Sequence, residues 1–455
     1  TFAWSGHEKV WGMASPLTPS DICELDAYCT ARGIDLVPNM NCLGHYERWL
    51  QHPEYDHLAE MNAAVRETLE EAPARITTLK ADEESTEFVG TLVDEYLPVF
   101  HSRCANIGGD EPWELGQGVS KQRCQQHGKH QVYVEYLNAI AQRALVHKKE
   151  VYFWADVVLE SPECVNSLAD NMTPVIWGYD PQHPYAEQCE TVKNAGRKFT
   201  VAPSVRGYKT LVGDALRWDN LPLAAAEGKK HGASGYLVTD WGDDGHHQPP
   251  FVSWPGMIWG GALSWHEQAH QNRPDFASPI NTYLAKDSGA HTGKVVQGLA
   301  RTAEHETVRQ NDPFLLGHWM LCSPQALPDL VQDLPDDLFQ RLHNELDQLE
   351  TQAHHANPTC ADAQLLKQEL TMGCHLARAA GNRAQHAKCP ERALAEQARS
   401  QLAQLIGQYE RLWVARNRVG GLCESAARLR RAFKEYRITI SEDSGFPTRP
   451  FQHSG

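Results

Sequence analysis

Along the first 265 or so residues, short apolar runs alternate with longer stretches in which apolar positions recur every three to four residues. The runs Ile34–Pro38, Cys104–Gly108, Val151–Trp154, Pro174–Trp177, Phe199–Ala202 and Gly235–Thr239 are rich in β-branched or aromatic residues and are bounded by Gly, Pro, Asn or Asp. They predict strands. Segments between them, such as HQVYVEYLNAIAQRALVHKK at 130–149, predict amphipathic helices. Strand–helix repetition of this kind implies parallel strands joined by helical crossovers. From about residue 275 the strand signal ends. Leu338, Leu342, Leu346 and Leu349 recur at helical spacing, as do Leu394, Ala398, Leu402, Leu405, Tyr409 and Leu412, and prolines punctuate the segments. The pattern predicts an α/β region over 1–270 and an all-helical region over 271–455.

The loops that follow the predicted strands carry the unusual residues: PNMNCLGH, GGDEPW, WADVV, WGYD and TDWGDDGHH. In a (β/α)8 barrel those loops line one face, where the chemistry sits. An open doubly wound sheet also fits the alternation, but no glycine-rich dinucleotide fingerprint follows the first strand. A closed barrel needs eight strands, and six are predicted, so the first two barrel strands are expected to be absent from this chain.

Net charge is −16, from 42 Lys+Arg against 58 Asp+Glu. That balance argues against nucleic acid as partner, because phosphate binding needs clustered positive charge. No run of about 18 apolar residues is present to span a membrane. The 12 cysteines form no CxxC pair and are expected to be free thiols in a reducing, cytoplasmic setting. A homo-oligomer stays open.

Asp110 and Glu111 stand side by side after Gly108 and Gly109, where a strand gives way to a loop. Successive strand residues point to opposite faces, so a turn at the strand end is needed to bring both carboxylates to one cavity. The glycines let a ligand approach the backbone. Trp113 is expected to form an apolar wall, and burial beside a second carboxylate raises a carboxyl pKa, which suits a general acid. Trp154 with Asp156, Trp177 with Tyr179, and Trp241 each end a predicted strand. Aromatics with a few carboxylates suit a sugar ring, whose C–H faces stack while its hydroxyls bond to acceptors such as Asp240 and Asp243. His45 fits either a structural or a site histidine. No HExxH, paired-histidine set with a third ligand, GxSxG or phosphate loop occurs, so no metal and no cofactor are expected.

NIGGDEPWELG resembles the catalytic motif of glycoside hydrolase family 20, the β-N-acetylhexosaminidases, in the branch with a helical C-terminal domain. TFAWSGHEKVW, DLVPNMNCLGHYERWLQHPEY, FWADVVL, VIWGYDPQHPY, TDWGDDGHHQP and RLWVARNRVGGLCES are similar to that branch in the same order. The resemblance implies a (β/α)8 barrel and an exo-acting, retaining hydrolase of terminal β-linked GlcNAc or GalNAc in glycans or glycoconjugates. In such enzymes the substrate's own acetamido group is the nucleophile. It implies Glu111 as acid and base, Asp110 as holder of the acetamido N–H, and His45 as their support. Trp154, Trp177 and Trp241 would form the aromatic wall, Asp243 would bind distal hydroxyls, and Tyr179 or Tyr208 would bond the acetamido carbonyl. The chain departs from the pattern at Tyr208, where Trp is common, and at Asp244 and His247, where Gly and Trp are usual. The family's first strand usually carries an arginine for the terminal sugar, and with the first strands expected to be absent that arginine is expected to be missing too. The alternative is therefore a weak or inactive sugar-binding barrel. A glycosidase with two carboxylates on different strands is disfavoured by their adjacency.

Overall fold

The computed structural model describes every residue except Ala72, Lys148, Tyr208, Asp214, Leu216, 303–314, Asp336 and 444–455. The chain divides into two compact units, one of residues 1–178, 184–202 and 224–237, the other of 179–183, 203–223 and 238–455.

The first unit holds a five-stranded, all-parallel sheet in chain order: β1 (Cys104–Asn106), β2 (Glu150–Trp154), β3 (Met172–Trp177), β4 (Thr200–Ala202) and β5 (Gly235–Tyr236). The register sets Ala105 against Val151, Phe153 against Pro174, Ile176 against Val201 and Thr200 against Gly235. This is the strand order of half a barrel. Pro174 lies in a strand without breaking it. The ladder between β3 and β4 begins at Val175↔Thr200, so Pro174 precedes that ladder and its missing N–H leaves no partner stranded.

Ile34–Pro38 differs from the expectation. It forms no ladder; a single parallel bridge joins Asn39 to Asn106, with Asn106 N–H donating to Pro38 O at 2.8 Å. Pro38 has no N–H to extend the pairing, and Ile34 and Val37 remain exposed.

Crossover helices bury one face each. In α1 (Lys129–Val146) Tyr133, Leu137, Ile140 and Ala144 follow helical spacing and are all fully buried. The strands bury Ala105, Val151, Phe153, Val175, Ile176 and Val201, the near-continuous apolar content of a sheet covered on both faces.

In the second unit, among the described residues beyond 250, every regular element is helical. α2 (Leu338–His355), α3 (Ala363–Lys388), α4 (Arg392–Arg416) and α5 (Leu422–Asp443) each pack on the next. The predicted leucines of α2 are all buried, and so are Ala398, Leu402, Leu405, Tyr409 and Leu412 of α4. Among the described residues no helix is long and apolar enough to cross a membrane.

Candidate active site

The Asp110–Glu111 pair leaves β1 through a turn that only this sequence permits cheaply. Gly108 and Gly109 have φ of +71° and +88°, left-handed values that glycine adopts without steric cost. A Cβ on Gly108 would lie 3.0 Å from the Asn41 backbone. The turn is tied down on each side. Gly108 N–H donates to Asn106 Oδ1 at 2.7 Å, Trp154 N–H to Gly108 O at 3.0 Å, and the Tyr133 hydroxyl of α1 to Gly109 O at 2.7 Å.

Glu111 continues the turn at φ +48°. This region disfavours side chains other than glycine and is occupied only where surroundings impose it. The restraint comes from Asp156, just past β2. Its Oδ2 accepts the Glu111 N–H at 3.0 Å, and its Oδ1 accepts the Trp177 indole N–H at 3.3 Å. Burial pushes the Asp156 carboxyl up to about 7, with the Asp110 charge adding to the rise and the Glu111 N–H opposing it. Downstream, buried Glu114 accepts from Thr77 N–H at 3.0 Å and Thr77 Oγ1 at 2.8 Å. Buried Glu60 accepts from the backbone of Gly116, Gly118 and Ser120.

His45 meets the pair from the loop that follows the parallel Asn39–Asn106 bridge. Its Nε2 lies 3.1 Å from Asp110 Oδ2 and 3.6 Å from Glu111 Oε2. It too has a left-handed φ, +60°. Its neighbour Gly44 must lack a side chain, since a Cβ there would sit 2.3 Å from Asp110 O. The hydrogen bond to Asp110 raises the His45 pKa to about 9, against burial and with help from both carboxylate charges. The imidazolium therefore donates to Asp110 at neutral pH. Asp110 Oδ1, by contrast, is buried and makes no hydrogen bond, which leaves an acceptor in need of a donor.

Among the described residues, His45, Asp110 and Glu111 offer ligand atoms within 4.8 Å of one another, a grouping that could hold a cation. A metal needs neutral imidazole, and the elevated His45 pKa works against that.

The first unit thus brings His45, Asp110 and Glu111 together and links Trp177 to them through Asp156. Trp154 is nearly buried, at 5 % exposure. Trp113 does not form the expected wall: it is 57 % exposed, with its ring edge-on to His45 at 5.9 Å, because the turn after Pro112 carries it outward. In the second unit the Trp241 indole N–H donates to the Tyr179 hydroxyl at 2.6 Å. Asp240 is committed elsewhere. It pairs with buried Arg206 and accepts from Ser253 Oγ at 2.9 Å, because a desolvated guanidinium requires a counter-charge. Asp243 lies within electrostatic reach of Arg206. Tyr208 lies outside the described residues.

The model of glycosyl hydrolase family 20, catalytic domain, matches residues 3–271. The chain belongs to glycosyl hydrolase family 20. Among curated relatives of this family member, hexosaminidase D of Bos taurus is 27% identical over 227 residues, 47% of this chain and 63% of that protein. A beta-hexosaminidase of Akkermansia muciniphila is 32% identical over 117 residues, 24% of this chain and 23% of that one. The chain thus spans less than two thirds of the length of these relatives. Flavobacterium johnsoniae chitobiase, a solved structure, is 14% identical, with 94% of this chain and 71% of that chain covered at a TM-score of 0.45.

Against the family assignment, sequence reasoning missed Gly44, Glu60 and Glu114, and it singled out Asp156 without a task. Glu60 carried no local signal, since an isolated glutamate reads as surface, and Glu114 stood in the NIGGDEPWELG motif, but its partner Thr77 lies 37 residues away in the chain. Gly44 stood in the family-like NCLGHY segment, but its reason, the Asp110 carbonyl, lies 66 residues away in the chain.

Proposed function

We propose that this family member is an exo-β-N-acetylhexosaminidase that removes terminal β-linked GlcNAc or GalNAc with retention, using the substrate's acetamido group as nucleophile. The observation that carries the reading is the divided duty of Asp110. One oxygen is held by the His45 imidazolium, and the other is buried without a partner. That second oxygen suits an acetamido N–H. Accepting it orients the acetamido carbonyl oxygen toward the anomeric carbon. As the C–O bond to that carbonyl forms, the glycosidic C–O bond breaks, and Glu111 gives its proton to the leaving oxygen. The positive charge of the resulting oxazolinium falls beside the Asp110 carboxylate, and a charge of that sign is stabilised there. Glu111, now ionised, takes a proton from water as that water attacks the anomeric carbon and the ring reopens. At 34 % side-chain exposure, Glu111 is reachable by a leaving group and by water, whereas Asp110, at 16 %, is set deeper.

We assign Trp154, Trp177 and Trp241 to the sugar's apolar faces, Asp243 to its distal hydroxyls and Tyr179 to the acetamido carbonyl. A phenol oxygen that accepts from Trp241 can give its own proton to a carbonyl. The catalytic work belongs to residues 1–270, whose five parallel strands form part of a (β/α)8-type barrel, and 271–455 act as a helical domain. None of the twelve cysteines forms a disulfide, which supports a cytoplasmic setting.

Nitrophenol release from the β-GlcNAc, β-GalNAc and β-glucose derivatives tests the reading, with an N-acetyl thiazoline as inhibitor. Turnover of the two amino sugars, blocked by the thiazoline, is expected. Comparable hydrolysis of the glucose derivative rules out substrate assistance. Absence of any turnover with sugar binding retained favours a binding protein. Asp110→Asn should depress the rate even on activated substrates; an undiminished rate there rejects the role given to Asp110.

A further inference from the structure

The loop that carries Trp241 and Asp243 is strained. Asp244, Gly245 and His246 have φ of +49°, +106° and +52° in succession. Two of the three bear side chains, and a non-glycine residue in this region is strained. Such a backbone persists only if something outside it fixes the conformation.

What fixes it comes from the two last helices. The Ser425 hydroxyl, in the first turn of α5, donates to Gly245 O, and it accepts from the Tyr409 hydroxyl of α4 at 2.5 Å. The backbone carbonyl of the same serine accepts from His247 Nε2 at 3.1 Å. Since a carbonyl can only accept, His247 carries its proton on Nε2. Burial drives the His247 pKa down to about 4, which keeps the ring neutral and the tautomer fixed. The His247 ring lies 5.4 Å from that of Tyr409, and the His246 ring stands edge-on to Trp413 at 6.4 Å. Gly245 admits no side chain: a Cβ would lie 2.7 Å from His247 and 3.0 Å from Arg428.

The seat is itself built firmly. Trp413 Nε1 donates to Arg418 O at 2.9 Å, Gly421 turns the chain at φ +85°, and Ser425 N–H returns to Gly421 O at 2.9 Å. Arg416 grips buried Glu369 of α3 with two parallel bonds of 2.7 and 2.8 Å. These residues make up RLWVARNRVGGLCES, a motif near the chain end to which the hydrolytic reaction gives no task.

We infer that the turn between α4 and α5 is a clasp for the 240–247 loop, and that Ser425 and Tyr409 are positioning residues that set sugar affinity by holding Trp241 and Asp243 in place. The inference rests on the assignment of Trp241 and Asp243 to the sugar. It gives the helical region a part in substrate recognition. Without the clasp, the loop relaxes out of its positive-φ run, and the two side chains spend less time where the sugar needs them.

Full-length Ser425→Ala and Tyr409→Phe test it, with Asp243→Asn and the double variant Ser425→Ala/Asp243→Asn as references. Kinetics on nitrophenyl β-GlcNAc are combined with amide hydrogen exchange of the 240–248 segment. Each single clasp variant should raise KM roughly fivefold to tenfold, the scale of one hydrogen bond, while kcat falls no more than about twofold. Exchange in the loop should quicken. In the Asp243→Asn background the Ser425→Ala effect on KM should shrink to below about twofold, since the side chain being positioned is already impaired. A purely stabilising serine would lower the melting temperature and leave KM alone. Unchanged KM in both single variants, or a full KM effect in the Asp243→Asn background, overturns the inference. Should Ser425→Ala fail to fold, Tyr409→Phe, which removes one hydroxyl, decides by the same measures. If wild-type protein turns over no derivative, the hydrolase reading falls, and loop exchange alone judges the clasp: equal exchange in variant and wild type overturns it. If Asp243→Asn leaves KM unchanged while the clasp variants raise it, the sugar assignment of Asp243 is the part that fails.

Discussion

Asp156 is expected to govern the competence of Glu111 without touching the substrate. Glu111 sits at φ +48°, where an ordinary residue bears about 1–2 kcal/mol of strain. Its N–H gives a 3.0 Å bond to the Asp156 carboxylate, and a hydrogen bond to a charged group contributes about 1.5–3 kcal/mol. The two terms are of similar size, so the bond is what makes the strained turn the favoured state. In Asp156→Ala the strain stands unopposed, and 1–2 kcal/mol depopulates the productive turn about fivefold to thirtyfold. Asp156→Asn should act in the same direction. One carboxamide oxygen can serve Glu111 or Trp177, but the NH2 group then confronts the other N–H. Assays at pH 8 lie above the Asp156 pKa of about 7 and below that of His45, about 9, so both groups are charged in the wild type. The expected result is a fivefold to thirtyfold loss in kcat/KM on substrates with poor leaving groups, and a smaller loss on nitrophenyl glycosides, because the former depend on proton donation. Melting temperature, read by circular dichroism, separates this effect from unfolding. A folded variant with kcat/KM within twofold of wild type on both substrate classes would refute the reasoning.

Further consequences can be checked by similar means. Glu111→Gln should slow poor leaving groups about 10²–10⁴-fold, the usual worth of a general acid, and activated ones far less; equal losses contradict the acid role. Gly44→Ala places a Cβ 2.3 Å from Asp110 O, so it should destabilise by about 1–3 kcal/mol and lower kcat at least about tenfold; unchanged denaturant midpoint and kcat would show that the two loops can part freely. His45, whose folded pKa is raised from 6.5 to about 9, supplies stability that is fully present below pH 6.5 and lost as pH rises through about 9. Wild-type melting temperature should therefore fall more steeply between pH 7 and 10 than that of His45→Gln; parallel curves would mean that the Asp110 contact does not favour the imidazolium.

Local pattern alone determined a good deal here. Alternation of β-branched runs with helical spacing located β1 to β5 to within a few residues, because burial on both faces selects those residue types wherever the strand lies. The leucine spacing in α2 and α4 marked their buried stripes for the same reason. The Gly-Gly-Asp-Glu order foretold a tight turn at a strand end, since left-handed backbone needs glycine. Ile34–Pro38 shows the limit: its composition is strand-like, yet a ladder depends on a partner and on N–H groups, and Pro38 has none. Only the tertiary structure decided how the carboxylates are used. Asp156 meets Glu111 across 45 residues, His45 meets Asp110 across 65, and Ser425 reaches Gly245 across 180. Each contact fixes a left-handed turn, at Glu111, at His45 and at Asp244 to His246, that the neighbours in sequence would not select. A side chain's direction is set by the backbone angle beneath it, and here that angle is imposed by distant groups brought near by folding.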